Sequence, residues 1–178
     1  MSDVIVIPNP DNKKLYLNLG CGTDIKQNMK TKWINVDIRS GPGVAYVMDV
    51  AELQFPDRTF GVVYACHLLE HFPMDEAESV VREWVRVLED GGMLYVAVPD
   101  ILKISTDFFK GKVGKGAVMK YFYGGQGHEY NFHKSGYCES ILRDLMRGAG
   151  LTKMERWKGS PDDASNSRYS LNLRGVRK

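Results

Sequence analysis

Cysteine is scarce in this sequence, and its arrangement disfavours two classes of small domain. Among the 178 residues there are three cysteines, Cys21, Cys66 and Cys138, which lie far apart and form no C-x-x-C pair. An odd number of isolated cysteines is not typical of a disulfide framework or a zinc knuckle. We therefore expect free thiols and a reducing compartment, the cytoplasm.

Long apolar runs and a surplus of one charge are also missing. No apolar run approaches the ~18 residues of a membrane span. The short run Val4–Ile7 stops at Pro8, so it does not resemble the apolar region of an export signal. The formal net charge is +2, from 24 basic and 22 acidic residues. A membrane protein, an exported protein and a dedicated nucleic-acid binder are therefore not indicated.

Strand and helix patterns alternate along the chain, which is typical of an α/β domain with a mostly parallel sheet. Apolar runs predict seven strands, near residues 15–19, 33–37, 44–48, 60–66, 93–98, 151–157 and 169–176. Apolar stripes at helical spacing predict one helix over 75–89, stopped by Gly91 and Gly92, and a second over about 135–147. The residues of the second helix that we expect to face the core are Ile141, Leu142, Leu145 and Met146.

The first two crossovers between strands are too short for ordinary helices. Residues 23–32 leave room for at most two helical turns, and the segment between Asp37 and Val44 contains Gly-Pro-Gly. We therefore expect one face of the sheet to be thinly covered. Either the fold is simply compact there, or a partner subunit, as in a homodimer, covers that face.

A glycine turn after the first predicted strand is the strongest local signal for function. The apolar run from Leu15 ends in Gly20 and Gly22, and the next strand ends in Asp37. Glycine lets the backbone approach a ligand, and a carboxylate at a strand end can accept hydrogen bonds from ribose hydroxyls. The pattern favours ribose binding at Asp37 over an ordinary surface acid.

A second acid extends this predicted ribose site towards a base. Asp49 ends the third strand and could accept a hydrogen bond from the exocyclic amine of adenine, while Ile38 and Val50 could pack against the faces of the adenine ring. The alternative is an aspartate that caps a turn. The third glycine of the dinucleotide fingerprint is absent, because Ile25 stands in its place, and this argues against NAD or FAD.

The segment His67–His71 matches the H-x-x-E-H string of a class of zinc peptidases. Two histidines four residues apart share a face only in a helix. Here the string directly follows a predicted strand and meets Phe72 and Pro73. We therefore predict no metal site from this string.

Two segments are expected beyond the carboxyl ends of the strands, where open parallel sheets bind ligands. One is residues 100–133, whose aromatic, glycine-rich second half carries His128 and His133; each is either a general base or a packing residue. The other is the loop 159–168. Basic residues in the first segment favour a solvated surface over attraction of an anionic substrate: Lys103, Lys110, Lys112, Lys115 and Lys120.

In order and spacing, these motifs resemble those of class I S-adenosylmethionine-dependent methyltransferases, closest to the small type-11-like group. The match covers about residues 15–99. The resemblance implies a Rossmann-like α/β domain over 1–178 with seven strands in the order 3-2-1-4-5-7-6 and an antiparallel seventh strand. It divides into a cofactor half (about 15–99), an acceptor-side insertion (about 100–133), and a C-terminal helix with a strand pair (about 134–178).

The resemblance also implies how S-adenosylmethionine is held. Asp37 would bind its ribose, Asp49 its adenine amine, and Cys66 and His67 would flank its sulfonium. The predicted cofactor-binding residues are Leu19, Gly20, Cys21, Gly22, Asp37, Ile38, Asp49, Val50, Cys66 and His67. If the acceptor must lose a proton, the candidate bases are His71, His128 and His133.

We therefore predict methyl transfer to an oxygen or nitrogen atom of a small-molecule or saccharide-like acceptor, which the lysines would suit if it is anionic. The Asp/Asn-Pro-Pro-aromatic string of amino-directed DNA methyltransferases is absent, as is a Pro-Cys pair, so nucleic acid is not the expected acceptor. Two other readings stay open. One is a non-catalytic cofactor-binding partner or regulatory module, and the more distant one is an NAD-dependent oxidoreductase.

Overall fold

A computed structural model describes residues 4–178, so the first three residues of the expected 1–178 domain lie outside the described residues. Seven strands form one sheet in the order β3-β2-β1-β4-β5-β7-β6. The strands are β1 Lys14–Leu19, β2 Thr31–Asp37, β3 Tyr46–Val47, β4 Phe60–Cys66, β5 Leu88–Pro99, β6 Leu151–Arg156 and β7 Ser170–Arg177. The predicted order is confirmed, and β7 runs antiparallel to both of its neighbours.

The helices of the described residues lie on one face of the sheet and beyond its carboxyl edge. They are α1 Ala77–Arg86, α2 Ile101–Phe109, α3 Lys115–Tyr123 and α4 Glu139–Gly148. The fully buried side chains of Trp84, Leu142 and Met146 join α1 and α4 to the strands in one core. Over residues 4–178, no helix has the length and apolar character needed to cross a membrane.

The helix predicted over 75–89 is shorter than expected, and its predicted stop was wrong. It ends at Arg86, and the chain enters β5 at Leu88. Leu88 is fully buried and pairs with β4, so burial in the sheet competes with helix formation and wins. Gly91 and Gly92 therefore lie inside β5, at an irregularity in its pairing with β4.

The helix predicted over 135–147 begins later, at Glu139. The reason is Tyr137, which is fully buried and forms an isolated parallel bridge to Asp100. The backbone around Tyr137 is therefore extended and cannot start the helix. This bridge ties the segment before α4 to the carboxyl end of β5.

Two finer expectations also differ from the structure. Leu142 and Met146 face the core as predicted, but Ile141 is 39% exposed, because the buried stripe of α4 is narrower than the apolar pattern. The third strand is reduced to Tyr46–Val47.

The first two crossovers contain no helix, since residues 20–30 and 38–45 are turns and extended chain. The sheet face opposite α1 and α4 consequently presents a row of aromatic rings in mutual contact: Tyr16, Trp33, Tyr64, Tyr95 and Trp157. The thin coverage predicted for one face is therefore present within residues 4–178. A second subunit on that face stays a prediction.

Helix α1 also fixes the segment that follows β3. The indole N–H of Trp84 donates to the carbonyl of Val50 at 3.0 Å. The carboxylate of Glu83 accepts the backbone N–H of Leu53 at 2.8 Å. These bonds hold the segment that begins with Asp49 against the core.

Candidate functional site

The carboxyl end of β1 turns at two glycines in the left-handed region, Gly20 (φ +58°) and Gly22 (φ +50°). A Cβ on Gly20 would lie 2.6 Å from Cδ1 of Leu68, so a side chain there would force Leu68 to move. In front of Gly22 there is no atom within 4 Å. The turn therefore offers open backbone to a ligand.

Asp37, at the end of β2, is held beside this turn. Its Oδ2 accepts the backbone N–H of Gly22 at 2.8 Å, and its Oδ1 accepts the backbone N–H of Arg39 at 2.9 Å. The residue is only 7% exposed. A carboxylate can accept about four hydrogen bonds, so both oxygens keep capacity for two adjacent hydroxyl groups.

Two cavities meet at Gly20, which lines both. The first, of about 450 Å³, is lined by the predicted cofactor residues Gly20, Gly22, Asp37, Ile38, Asp49, Val50 and His67. The second, of about 400 Å³, is lined by Leu19, Gly20, Cys21 and Cys66. The ten predicted residues thus lie around one turn but are divided between two cavities.

Asp49 has both of the features that the sequence left open. Its Oδ1 accepts the backbone N–H of Ala51 at 2.9 Å, which is the geometry of a turn cap. The residue is nevertheless exposed and lines the first cavity beside Val50. A turn cap and a cavity-facing carboxylate are therefore compatible at this position.

A pair of buried asparagines replaces the missing first crossover helix. Asn18 and Asn35 are register partners on β1 and β2, and Nδ2 of Asn18 donates to Oδ1 of Asn35 at 2.9 Å. Asn18 also donates to the carbonyl of Asp24, and Asn35 bonds both the N–H and the carbonyl of Lys26. The only sequence signal for this pair is one polar residue at the same place in two apolar strands.

Asp163 connects the loop after β6 to Lys26, in the segment that follows the glycine turn, a contact that the sequence pattern does not indicate. Because β6 is parallel to β5, this loop reaches the predicted edge. Oδ2 of Asp163 lies 2.6 Å from Nζ of Lys26 and accepts the hydroxyl of Tyr64 at 2.6 Å. Burial opposes its charge, but the bonds from Lys26, Ser165 and Tyr64 hold the pKa of Asp163 below its ordinary value.

Replacing Asp163 with asparagine is expected to lower the free energy of unfolding at pH 7 by about 2 kcal/mol, the scale of a hydrogen bond to a charged group. Since its folded pKa is depressed, this contribution is present above the unfolded-state value of about 3.9 and is lost as pH falls through the folded pKa. Urea unfolding measured between pH 7 and pH 3 should show that the difference in the free energy of unfolding between the wild type and Asp163→Asn becomes smaller as the pH falls. The exposed neighbour Asp162→Asn is the control, and a difference that stays constant in acid would contradict the assignment.

The thiols at this edge are protonated near neutral pH. Burial, with the charge of Asp37, raises the pKa of Cys21 to about 11. Burial, with the charge of Asp163, raises the pKa of Cys66 to about 12. Since the thiolate is the nucleophile, neither cysteine is suited to covalent catalysis. All three cysteines are free.

Two of the three candidate bases lie together. The ring centroids of His71 and His133 are 5.0 Å apart. His71 lines the first cavity, and His133 lines a third cavity of about 470 Å³. Burial lowers the pKa of His133, which favours the neutral ring. His128 instead contacts Nη1 of Arg39 at 3.1 Å, next to Asp37.

His67 does not continue a helix towards His71. It adopts a left-handed conformation (φ +50°), so the H-x-x-E-H string is bent, as the sequence suggested. Its Nδ1 is 3.2 Å from Oε1 of Glu70, and its Nε2 is 3.2 Å from Oγ of Ser170. Burial disfavours its charged form, but the carboxylate of Glu70, with smaller contributions from the backbone of Ala164 and the charge of Asp163, outweighs burial and raises the pKa of His67.

The five lysines of the acceptor-side segment are all exposed: Lys103, Lys110, Lys112, Lys115 and Lys120. None of them lines the cavities at the sheet edge. The basic side chains that do line the first cavity are Arg39 and Lys134, together with its histidines. A solvated surface is therefore the simpler account of the five lysines.

Residues 14–96 match the sequence model of a methyltransferase domain. A stretch of 75 residues is 37% identical to the 27-O-demethylrifamycin SV methyltransferase of Amycolatopsis mediterranei (strain S699), covering 39% of this chain and 27% of that protein. The matched part thus spans about a quarter of the curated relative.

Solved structures match over nearly the whole chain. A SAM-dependent methyltransferase from Archaeoglobus fulgidus superposes with a TM-score of 0.61 at 11% identity, covering 93% of this chain and 87% of that one. The 1,6-didemethyltoxoflavin-N1-methyltransferase of Burkholderia thailandensis, solved with 1,6-didemethyltoxoflavin and S-adenosylhomocysteine, gives a TM-score of 0.60 at 13% identity, covering 94% and 72%. At these identities the likeness is one of fold.

Proposed function

We propose that this chain, which has the motifs and fold of the class I S-adenosylmethionine-dependent methyltransferases, is an enzyme that uses S-adenosylmethionine as its methyl donor. The acceptor we propose is an oxygen or nitrogen atom of a small-molecule or saccharide-like compound. The curated relative is named for a 27-O-demethyl substrate and one structural neighbour for an N1 position. Both atom types therefore stay within the proposal.

The observation that carries the proposal is the carboxylate of Asp37 at the open glycine turn. Two backbone N–H groups orient it, and nothing lies within 4 Å of a Cβ position on Gly22. A fixed, nearly buried carboxylate that faces a cavity is suited to the two hydroxyls of a ribose. Asp49, farther along the same cavity, would then meet the adenine amine.

For methyl transfer the protein mainly has to position the donor and the acceptor. A sulfonium methyl group is ready for in-line displacement, so alignment of donor and acceptor in a water-poor cavity supplies most of the rate. A base is needed only if the acceptor atom carries a proton. His71 and His133 are the candidates that lie between the first and third cavities.

For the acceptor we propose the third cavity, between the carboxyl end of β5 and α3. Its aromatic wall is Tyr121, Phe122 and Tyr123, and it shares Lys134 with the first cavity. Aromatic walls suit the flat face of a sugar or a ring system. Lys134, and not the exposed lysines of α2 and α3, would attract an anionic acceptor.

Calorimetric titration with S-adenosylmethionine and S-adenosylhomocysteine tests the donor half of the proposal. We expect stoichiometric binding of both, and no response to NADH. If neither S-adenosylmethionine nor S-adenosylhomocysteine bound, the proposal would be refuted. Incubation with methyl-labelled S-adenosylmethionine and a panel of hydroxyl and amine acceptors then tests the proposed acceptor class.

Replacing Gly22 with alanine is expected to weaken S-adenosylhomocysteine binding about tenfold, because the new Cβ enters the first cavity, which Gly22 lines. The strain of the left-handed backbone, about 1–2 kcal/mol, lowers the stability of the folded protein whether or not the ligand is bound. Gly111→Ala is a matched control, since Gly111 also has a positive φ (+69°) and open space. Both variants should lose similar stability in urea. If calorimetry gave the two variants equal affinity for the ligand, Gly22 would not face the cofactor.

Three further points stay proposals. The aromatic sheet face is where a second copy of the chain would pack, which light scattering of the purified protein would test. The free thiols agree with a cytoplasmic location. A non-catalytic binding module is the alternative to an enzyme, and the thinly covered aromatic face, whose rings are half-buried apart from the buried Tyr64, is the observation that favours it.

A further inference from the structure

We propose that Glu70, His71 and His133 bind one Zn²⁺ ion between the first cavity and the third cavity. One ligand atom from each of the three residues lies within 4.8 Å of the other two. The linear motif does not contain this set, because His133 follows 62 residues after His71 in the sequence. The site deepens the proposed function by selecting acceptors with a hydroxyl group, and that second part rests on the proposed function.

The surroundings of Glu70 indicate a bound ion independently of the distances between the three residues. The residue is 1% exposed, and its Oε1 is engaged by His67. Its Oε2 is buried and has no hydrogen-bond partner among the described residues. Buried carboxylate oxygens are almost always bonded, so an unpartnered one indicates an ion or a water at that point.

The two histidines present the nitrogen that a metal needs. Nδ1 of His71 lies 3.0 Å from the carbonyl oxygen of Phe132, and Nδ1 of His133 lies 2.9 Å from that of Tyr121. A carbonyl can only accept, so both Nδ1 atoms carry the proton and both Nε2 atoms keep the lone pair. Metal-binding histidines typically donate their other N–H to a carbonyl or carboxylate in this way.

The backbone holds the three residues in place before any ion binds. Glu70 and His71 belong to a short 3-10 turn, Leu69–His71, directly after β4. The carbonyl of Glu70 accepts the backbone N–H of Lys134 at 2.8 Å, which fixes the neighbour of His133. Gly124 (φ +78°) provides the turn that brings this segment back, since a Cβ there would collide with the carbonyl of Asn131.

Two imidazoles and one carboxylate suit zinc better than Ca²⁺ or Mg²⁺. Ca²⁺ and Mg²⁺ prefer oxygen ligands only. Zinc bound by three protein ligands keeps a fourth position open, and ligand atoms about 2.0–2.2 Å from a tetrahedral zinc lie about 3.5 Å apart. Small rotations of the three side chains would bring the present set to that spacing.

The fourth position would serve the acceptor. His71 lines the first cavity, proposed for the cofactor, and His133 lines the third cavity, proposed for the acceptor, so the ion would lie where the two substrates meet. Zinc lowers the pKa of a bound hydroxyl, and its proton leaves to water. The oxygen then bonds to the methyl carbon while the carbon–sulfur bond breaks, and sulfur keeps the electron pair. Methyl transfer as such needs no metal; the ion would hold and ionise the acceptor.

The test uses the full chain after treatment with a chelator, titrated with Zn²⁺ alone by calorimetry. We expect one ion per chain for the wild type and for His128→Ala, the matched control in the same segment. His133→Ala and Glu70→Gln should lower the zinc affinity at least about 100-fold. Co²⁺ bound to the wild type should give the intense visible bands of a tetrahedral site, and these bands should be absent in His133→Ala.

Zinc that does not bind stoichiometrically, or that binds His133→Ala as tightly as the wild type, would overturn the proposal. Circular dichroism checks each variant's fold; if Glu70→Gln unfolds, His133→Ala and the Co²⁺ bands decide. The donor site is tested separately, since His133→Ala should keep its affinity for S-adenosylhomocysteine. Asp37→Ala should keep its affinity for zinc, so failure of one site is distinguishable from failure of the other.

Discussion

Replacing Asp37 with alanine is expected to lower the affinity for S-adenosylhomocysteine at least about 100-fold, because two hydrogen bonds to a charged group are lost, each worth about 1.5–3 kcal/mol. The substitution also removes the acceptor for the N–H groups of Gly22 and Arg39. The glycine turn would then lose one of its links to β2 and keep the backbone bond from the N–H of Cys21 to the carbonyl of Val36. Titration calorimetry on the purified variant measures the effect directly.

Asp100→Ala is the matched control for this prediction. Asp100 also ends a strand at the same edge, but its side chain caps α2 by accepting the N–H of Lys103 at 3.1 Å. Losing that cap should cost about 1 kcal/mol of stability and leave the affinity for S-adenosylhomocysteine unchanged. Asp37→Asn should fall between the wild type and Asp37→Ala, since the amide keeps one acceptor oxygen. Equal binding by Asp37→Ala and the wild type would contradict a ribose at Asp37.

The same variant separates an enzyme from a binding module. If methyl transfer to an acceptor is detected with the wild type and falls in Asp37→Ala, the chain is catalytic and the module interpretation is wrong. If the wild type binds the donor tightly and no acceptor is methylated, the module is favoured. The aromatic face of Tyr16, Trp33 and Tyr95 would then be the first surface to test for a partner.

The second large effect is expected at Asn35, where alanine should lower the free energy of unfolding by about 3 kcal/mol, because buried polar groups left without partners cost about 1–3 kcal/mol each. Asn35 is 5% exposed and bonds the N–H and the carbonyl of Lys26 as well as Asn18. These bonds hold the loop that connects β1 to β2, where a crossover helix is absent. We expect the loop 20–30 to lose its conformation and the donor affinity to fall with it.

Urea unfolding and donor titration of Asn35→Ala measure both losses. Asn28→Ala is the control in the same loop, because Asn28 bonds Lys30 at the exposed surface and such changes usually stay within about 0.5 kcal/mol. A loss of stability at Asn35 no greater than at Asn28 would mean that the loop is held by other contacts.

The sequence anticipated the architecture well where the signal was local. Alternating apolar residues, glycine at a sharp turn and a carboxylate at a strand end are read over a few neighbours, so most of the strands and the acids Asp37 and Asp49 were predictable. Local signals failed where burial overrode them. Helix α1 ends early because Leu88 is drawn into the sheet, and α4 starts late because Tyr137 bridges to Asp100.

Contacts between residues distant in sequence were beyond the reach of local patterns. The asparagine pair needs the register of β1 against β2, and the position of Asp163 needs the return of the loop after β6 to Lys26 and Tyr64. The histidines show the same limit, since three of them were candidate bases and the structure pairs His71 with His133 while His128 contacts Arg39.

The amino-acid order alone thus predicts the proposed donor site, because the groups that would hold a ribose and an adenine follow strand ends at characteristic spacing. Chain packing decided the proposed acceptor side. There the side chains that meet come from the turn after β4 and from the segment before α4, and a turn at Gly124 and the carbonyl of Glu70 bring them together. Hydrogen bonds between residues so far apart in sequence leave no periodic pattern along the chain. The sequence therefore predicts the methyl donor, whereas the folded structure determines which groups are available to the proposed acceptor.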